Sequence, residues 1–264
     1  MKEMMRSSYA VRFIRRQYKL FMRRLQVART EAFTTCPIPN FNLQLFFEDA
    51  LMWQHTLSKQ GSNIPFGSYY EFGVYRGDTM ITFHRALKAF KGAVRQRDIN
   101  VKMYAFDSFK GLPGSDNAAD NSSFWRKGQY ACSQADFTRI IKSRGVDLKD
   151  VVCVPGYYEK SLTPELAVSL AGDKPGIITI DCDLYTSTKV VLEWLRPLLR
   201  HGTLIYFDDI WSFCGHPDFG ELKAIAEFNS KGEGLIVEHH LGLGTRRVWI
   251  YANPSSVQRG PGKL

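Results

Sequence analysis

The sequence predicts an α/β fold built on a seven-stranded, mostly parallel sheet that closes with an antiparallel hairpin, with further helices at the N-terminus. Two observations predict it. Five short apolar runs recur from residue 68 onward: SYYEFG (68–73), VKMYAFD (101–107), VVCVPG (151–156), GIITID (176–181) and GTLIYFDD (202–209). They alternate with turns and helical stretches, and runs that are apolar on both faces belong in a parallel sheet covered by helices. After a helix around 219–231 the pattern changes. GLIVEHH and RRVWIYA follow, joined by LGLGT, and so short a connection makes them an antiparallel pair.

The first element is a basic tail. Nine of the 35 Lys/Arg and one of the 26 Asp/Glu lie in residues 1–30, leaving 26 basic against 25 acidic residues in the rest of the chain. The net charge of +9 therefore belongs to the tail, and the near-neutral body offers no general attraction to a phosphate backbone. On a helical wheel Ala10, Val11, Ile14, Tyr18, Phe21, Met22 and Leu25 share one face, opposite Arg12, Arg15, Arg16, Lys19 and Arg23. Residues 6–27 thus read as a basic amphipathic helix. Peripheral contact with an anionic membrane, docking on a partner or on the chain's own body, and a transit peptide all fit it. No apolar run reaches the roughly 20 residues that cross a bilayer, and the arginines interrupt any secretory signal.

Residues 40–58 predict a second helix, and Gly61, Pro65 and Gly67 mark a linker. The expected organisation is a tail (1–30), a helical lid or cap region with linker (31–67), one main domain (68–252) and a flexible C-terminal tail (253–264). The helix following GIITID is expected to run through TSTKVVLEWLRPLLRH, residues 186–201. The five cysteines, Cys36, Cys132, Cys153, Cys182 and Cys214, are scattered and lack CxxC spacing, which suits a reducing, cytoplasmic setting without disulfides or zinc. Homo-oligomerisation is left open.

Function is written first in YYEFGVYRGDT, residues 69–79. Glu71-x-Gly73-x-x-x-Gly77 lies between a strand and a helix, where glycines let the backbone turn sharply and approach a ligand. It is not the dinucleotide fingerprint, because Val74-Tyr75-Arg76 fills the place of the second glycine. Acids at Glu71 and at Asp107, the end of the next strand, suit a cationic ribose-bearing ligand without phosphates. S-adenosylmethionine has that chemistry.

A second cluster suggests a metal. Asp181 ends the fourth strand, and Asp208 and Asp209 end the fifth. Adjacent strands lie ~4.8 Å apart, so these acids can converge, and like charges so placed repel unless a cation sits among them. Hard oxygen ligands select Mg²⁺ or a similar divalent ion. Strand-end acids also cap helices, which is the plainer alternative.

The stretches EFGVYRGDT, YAFDSFKGLPGSD, GQYACS, VPGYYEKSL, IDCDLYTSTKVVLEWLRPLL and GTLIYFDDI resemble, in order and spacing, the macrocin O-methyltransferase (TylF-like) family across roughly residues 40–252. The turn is also similar to that of catechol O-methyltransferase. The resemblance implies a Rossmann-like class I methyltransferase fold and a metal-dependent enzyme that methylates hydroxyls on sugars of natural products. It implies that Glu71, Gly73, Tyr75 and Gly77 line the methionine end of the cofactor and that Asp107 receives the ribose, with Ser108 beside it. Gly156 and Tyr157 fall by the adenine, and Asp181, Asp208 and Asp209 fall on the metal ligands. Asp183 could replace Asp181 as ligand, act as base, or cap the next helix; Asp181 is the favoured ligand because it points most directly into the crevice.

The expected reaction is methyl transfer to a hydroxyl whose proton leaves with help from a divalent ion, with Asp181 and Asp183 as the catalytic acids. Asp183, His216, His239 and His240 are the candidates for a base. Among Trp53, Trp125, Tyr157 and Trp211, Trp211 has the best case as an acceptor contact because it follows Asp208-Asp209-Ile210 directly, and the polar stretch 115–129 reads as a lid. The partner is a small-molecule or glycan hydroxyl acceptor, not nucleic acid. Two other classes stay open: a nucleic-acid methyltransferase, and a membrane-associated scaffold that binds cofactor without catalysis.

Overall fold

The structure, a computed structural model, describes residues 43–59, 64–95, 99–120, 125–240 and 247–253. The tail helix predicted over 6–27, Cys36, the turn LGLGT and residues 254–264 lie outside the described residues. The strands are β1 (Ser68–Phe72), β2 (Met103–Asp107), β3 (Val151–Pro155), β4 (Pro175–Ile180), β5 (Leu204–Phe207), β6 (Leu235–His240) and β7 (Arg247–Ala252). They form one sheet in the order β3-β2-β1-β4-β5-β7-β6. The first five pair in parallel, and β7 runs antiparallel to both β5 and β6. β1 and β4 are buried at every residue, which is why their sequences lack polar alternation.

The helices are α1 (Leu43–Lys59), α2 (Asp78–Val94), α3 (Gln134–Ser143), α4 (Tyr158–Ser161), α5 (Pro164–Ser169), α6 (Tyr185–Leu195) and α7 (Gly220–Ser230). Side chains alternate across a strand, so β1 packs two different ways. Phe72 stacks on Phe106 at 4.5 Å between ring centroids, and Trp194 of α6 meets Phe106 edge-on at 5.5 Å. On the other face Tyr69 stacks on Phe83 of α2 at 4.0 Å, with Phe47 of α1 edge-on to both.

Within the region 31–67, expected as a lid or cap with linker, the described helix α1 packs into the core through Phe46, Phe47, Ala50 and Leu51, which are wholly buried. Trp53 Nε1 also donates to Gly202 O at 2.9 Å and Gln54 Nε2 to Gly176 O at 3.0 Å, so the compact body begins at Leu43. The helix expected over 186–201 stops at Leu195. Pro197 has no N–H to continue the ladder, and the chain closes in a turn with Leu198 N bonded to Leu195 O.

From β1 the chain steps to β2 and β3 on one side, and from β4 to β5 on the other. The order reverses between β1 and β4, and in such sheets ligands bind outside the carboxyl ends of the strands at that point.

Candidate active site

The backbone ladder continues past the strand ends at this crevice. Gly73 N donates to Phe106 O (2.9 Å), Asp181 N to Phe72 O (2.9 Å), Asp208 N to Ile180 O (3.0 Å) and Gly156 N to Asp107 O (2.8 Å). A single ledge results, carrying the glycine turn and the acids side by side. At Gly73 φ is +84°, and a Cβ there would lie 1.8 Å from Asp181 O, so only glycine fits. Asp107 ties two loops to the ledge: one oxygen accepts from Val74 N at 2.8 Å and the other from Phe109 N at 2.7 Å. A carboxylate has about four acceptor sites, so capacity for hydroxyl donors remains. Ser108 Oγ donates to Gly111 O and accepts from Lys110 N, shaping the next turn.

The crevice is a pocket of about 300 Å³, at the lower end of what small-molecule sites occupy. Gly73, Tyr75, Asp107 and Ser108 line one part of its wall, and Gly156 and Tyr157 another. Asp181, Asp183, Asp208 and Asp209 complete it. Tyr75, Tyr130 and Asp183 on this wall hold φ values of 40°, 57° and 62°, in the left-handed region that costs a non-glycine residue energy. Strain of this kind clusters where a site over-determines its backbone.

Asp181, Asp208 and Asp209 each offer an oxygen within 4.8 Å of the others. Asp183 is not part of that triplet, but it shares the pocket wall with Asp209 and Trp125, both of which act on its carboxyl. Burial and then the Asp208 and Asp209 charges hold the Asp181 carboxyl well above the carboxylate range. Burial, followed by Asp209, pushes Asp183 up to about 8; burial and Asp208 push Asp209 up to about 6 against the pull of the Ser212 hydroxyl. Tyr206 donates to Asp208 at 2.5 Å. The site is short of positive charge, and the orphaned, buried Oδ2 of Asp209 is an acceptor waiting for a donor or a cation.

Two predicted residues are not on the wall. Gly77 packs under α3, where a Cβ would meet Ile141 at 2.5 Å and Phe137 at 2.9 Å. Glu71 shares the α1/α2 face of β1 with Tyr69, whose hydroxyl donates to it at 2.7 Å, and only 1% of it is exposed. Burial, then Asp107 and Asp78, push its carboxyl up to about 8 against the pull of the Tyr69 hydroxyl. A raised carboxyl opposes folding once ionised, so its neutral form supports stability at low pH and that support is lost as pH rises through about 8. Glu71→Gln is expected to flatten the fall in melting temperature between pH 5 and about 8.5, read by thermal denaturation; a profile unchanged from the parent would refute this.

Of the aromatic candidates, Trp125 and Tyr157 line the pocket, Trp53 is structural, and Trp211, 45% exposed, does not line it. The sequence argument placed Trp211 by its nearness in the chain, but the turns after Asp209 carry it off the wall. Neither His216 nor His239 lines the pocket, and the His240 side chain lies outside the described residues. The expected lid falls in part outside them too, at 121–124; its described end holds Asp120, which accepts from Thr186 N and Oγ1 at the start of α6. Residues that sequence reasoning missed are Tyr130, present in GQYACS without a role, and Glu221 in α7, which no motif marks. Among the described residues the cysteines are free and only Cys182 is buried.

The family model described as Macrocin-O-methyltransferase (TylF) matches residues 54–228, more than half of the chain. The chain belongs to the macrocin O-methyltransferase family. This family member is 29% identical over 154 residues to demethyldecarbamoylnovobiocin O-methyltransferase from Streptomyces niveus, covering 56% of the chain and 54% of that relative. It is 28% identical over 148 residues to 8-demethyl-8-(2,3-dimethoxy-alpha-L-rhamnosyl)-tetracenomycin-C 4'-O-methyltransferase from Streptomyces olivaceus, covering 54% and 52%. The chain spans about half the length of the curated relatives it matches. Its fold is that of the O-methyltransferase NovP (TM-score 0.57, 24% identity, 79% of each chain) and of a calicheamicin methyltransferase (TM-score 0.56, 23% identity, 84% and 89%). The class I methyltransferase fold expected from the sequence is thus the one observed.

Proposed function

We propose that this family member is an S-adenosylmethionine-dependent O-methyltransferase that uses a divalent cation and acts on a hydroxyl of a sugar or glycosylated acceptor. One observation carries the reading: three carboxylates converge on the same ledge as the glycine turn, within one pocket at the switch point. The donor set is all oxygen, which fits Mg²⁺ or a similar hard ion. The family supports the methyl donor, and the rhamnosyl acceptor in one relative's name supports the sugar.

Asp181, Asp208 and Asp209 would hold the cation; Gly73, Tyr75, Asp107, Ser108, Gly156 and Tyr157 would hold the methyl donor. When bound, the cation supplies Lewis acidity that lowers the pKa of an alcohol beside it, and the donor supplies an electrophilic methyl group on sulfur. The chain's own share is positioning and proton management. Gly73 lets the backbone come against the acid ledge without a side chain between, which keeps the two halves of the site at reacting distance. Asp107 fixes the turn while still offering acceptor capacity to ribose hydroxyls. Asp183, on the pocket wall and held above the ordinary carboxylate range, would take the hydroxyl proton in its ionised form. Trp125 and Tyr157 give flat apolar surface for a ring. No helix among the described residues is long and apolar enough to cross a membrane.

The test is transfer of a labelled methyl group to a panel of acceptors bearing neighbouring hydroxyls, including rhamnosides, with EDTA and after adding back Mg²⁺. Turnover is expected to vanish on chelation and return with the ion. Transfer that survives complete chelation removes the cation; no transfer to any sugar, but transfer to a catechol, removes the sugar.

A further inference from the structure

We propose that Glu221 is a positioning residue for the cation: a fourth, internal carboxylate that strengthens retention of a divalent ion by Asp181, Asp208 and Asp209 from behind the pocket wall. The inference rests on the cation reading above and deepens it. Glu221 stands in the first turn of α7, 1% exposed, and does not line the pocket. Neither of its side-chain oxygens has a hydrogen-bond partner. A buried carboxyl that served only packing would be bonded or replaced by an apolar residue, because an unpartnered one is costly.

Its surroundings say what it faces. The charges that act on it most strongly are Asp209, Asp181, Asp208 and Asp183, all acids of the site and all on the loops after β4 and β5. It is in turn the leading charge on Cys182, the wall residue between Asp181 and Asp183, and it also acts on Tyr206, whose hydroxyl donates to Asp208. Burial and these neighbours hold its carboxyl well above the usual range. The carboxyl is therefore within reach of the field of the site's acids while shut off from solvent. The α7 N-terminus contributes partial positive charge that favours an acid there, yet its N-cap, Phe219, supplies no side-chain bond. As a structural element Glu221 is unfavourable. A divalent ion held by the aspartates would favour the ionised form of this carboxyl, and in a buried site that attraction is weakly screened.

The experiment uses the full chain and Mn²⁺ as probe, titrated by electron paramagnetic resonance of the free ion, with Asp208→Asn as a control for direct ligation. Glu221→Gln is expected to raise the Mn²⁺ Kd about tenfold, in the range of changes seen when groups behind a metal's ligands are altered. In EDTA its melting temperature should equal or exceed the parent's, because the cost of holding a buried carboxyl away from its ordinary ionised state has gone, while the rise on adding Mn²⁺ should shrink. Glu221→Met, similar in volume and apolar, should behave the same way and serves if the glutamine variant folds poorly. A Kd within twofold of the parent in either folded variant overturns the assignment of Glu221 and leaves the three-aspartate site standing. If the parent itself binds no Mn²⁺, the cation reading falls first and this inference with it.

Discussion

Asp181→Asn is expected to lower methyl transfer at least about 100-fold and to weaken cation binding by a similar factor, while leaving the fold intact. On the proposed three-carboxylate site, loss of one ligand would remove both charge and a fixed donor, and changes even behind such ligands cost about 10- to 100-fold. In the cation-free protein the same substitution relieves repulsion, because the Asp208 and Asp209 charges oppose ionisation of Asp181. Its melting temperature in EDTA should therefore be unchanged or higher. Asp183→Asn separates the two aspartates: in the proposed role of proton acceptor its loss should reduce kcat while the Mn²⁺ Kd stays within about threefold, since Asp183 stands outside the converging triplet. Abolished Mn²⁺ binding in Asp183→Asn together with near-normal binding in Asp181→Asn would reverse the assignment.

Gly73→Ala is expected to destabilise the protein by about 3–5 kcal/mol, the tail of single-substitution effects. The added methyl would lie 1.8 Å from a backbone oxygen that cannot rotate away, at a φ of +84°. For a chain of this size that is a fall of roughly 10 °C in melting temperature, with loss of donor binding in any fraction that folds. Gly92→Ala near the end of α2 is the control. Nothing lies within 4 Å of its added methyl, and an alanine inside a helix should raise stability by up to about 1 kcal/mol. Equal, small effects at both positions would show that the Gly73 turn is not held against the Asp181 carbonyl.

The sheet and the acid triplet were legible because both are written locally. Runs such as GIITID and GTLIYFDD announce a buried strand and place an acid at its end, and the strand order then needs only the right-handed crossover rule and the switch point. What depends on side-chain direction was not legible. Glu71 lies two residues before Gly73 in a motif that suggests a shared wall, yet the period-2 alternation of β1 turns it beneath the sheet with Tyr69. Trp211 looks well placed because it follows the acids, whereas Trp125, some 60 residues from Asp183 in sequence, is the indole that shares the pocket wall with it. Glu221 carried no local signal, since an acid at the start of a helix is ordinary and only burial shows it to be unusual. The stop of α6 is written in Pro197, but the apolar pattern beyond it continues the helical signal past the true end at Leu195.

The hydrogen bonds that run past the strand tips join the glycine turn and the acids into one shelf, on which the proposed methyl donor and acceptor would both be seated. Neither seat can be shifted by redesign without disturbing its neighbour, because Phe72 and Asp181 share a bond across that shelf. Changes of acceptor preference are therefore best sought where the pocket leaves the sheet, around Leu112 and Tyr130, whose exchange would alter the shape of the opening without touching the shelf.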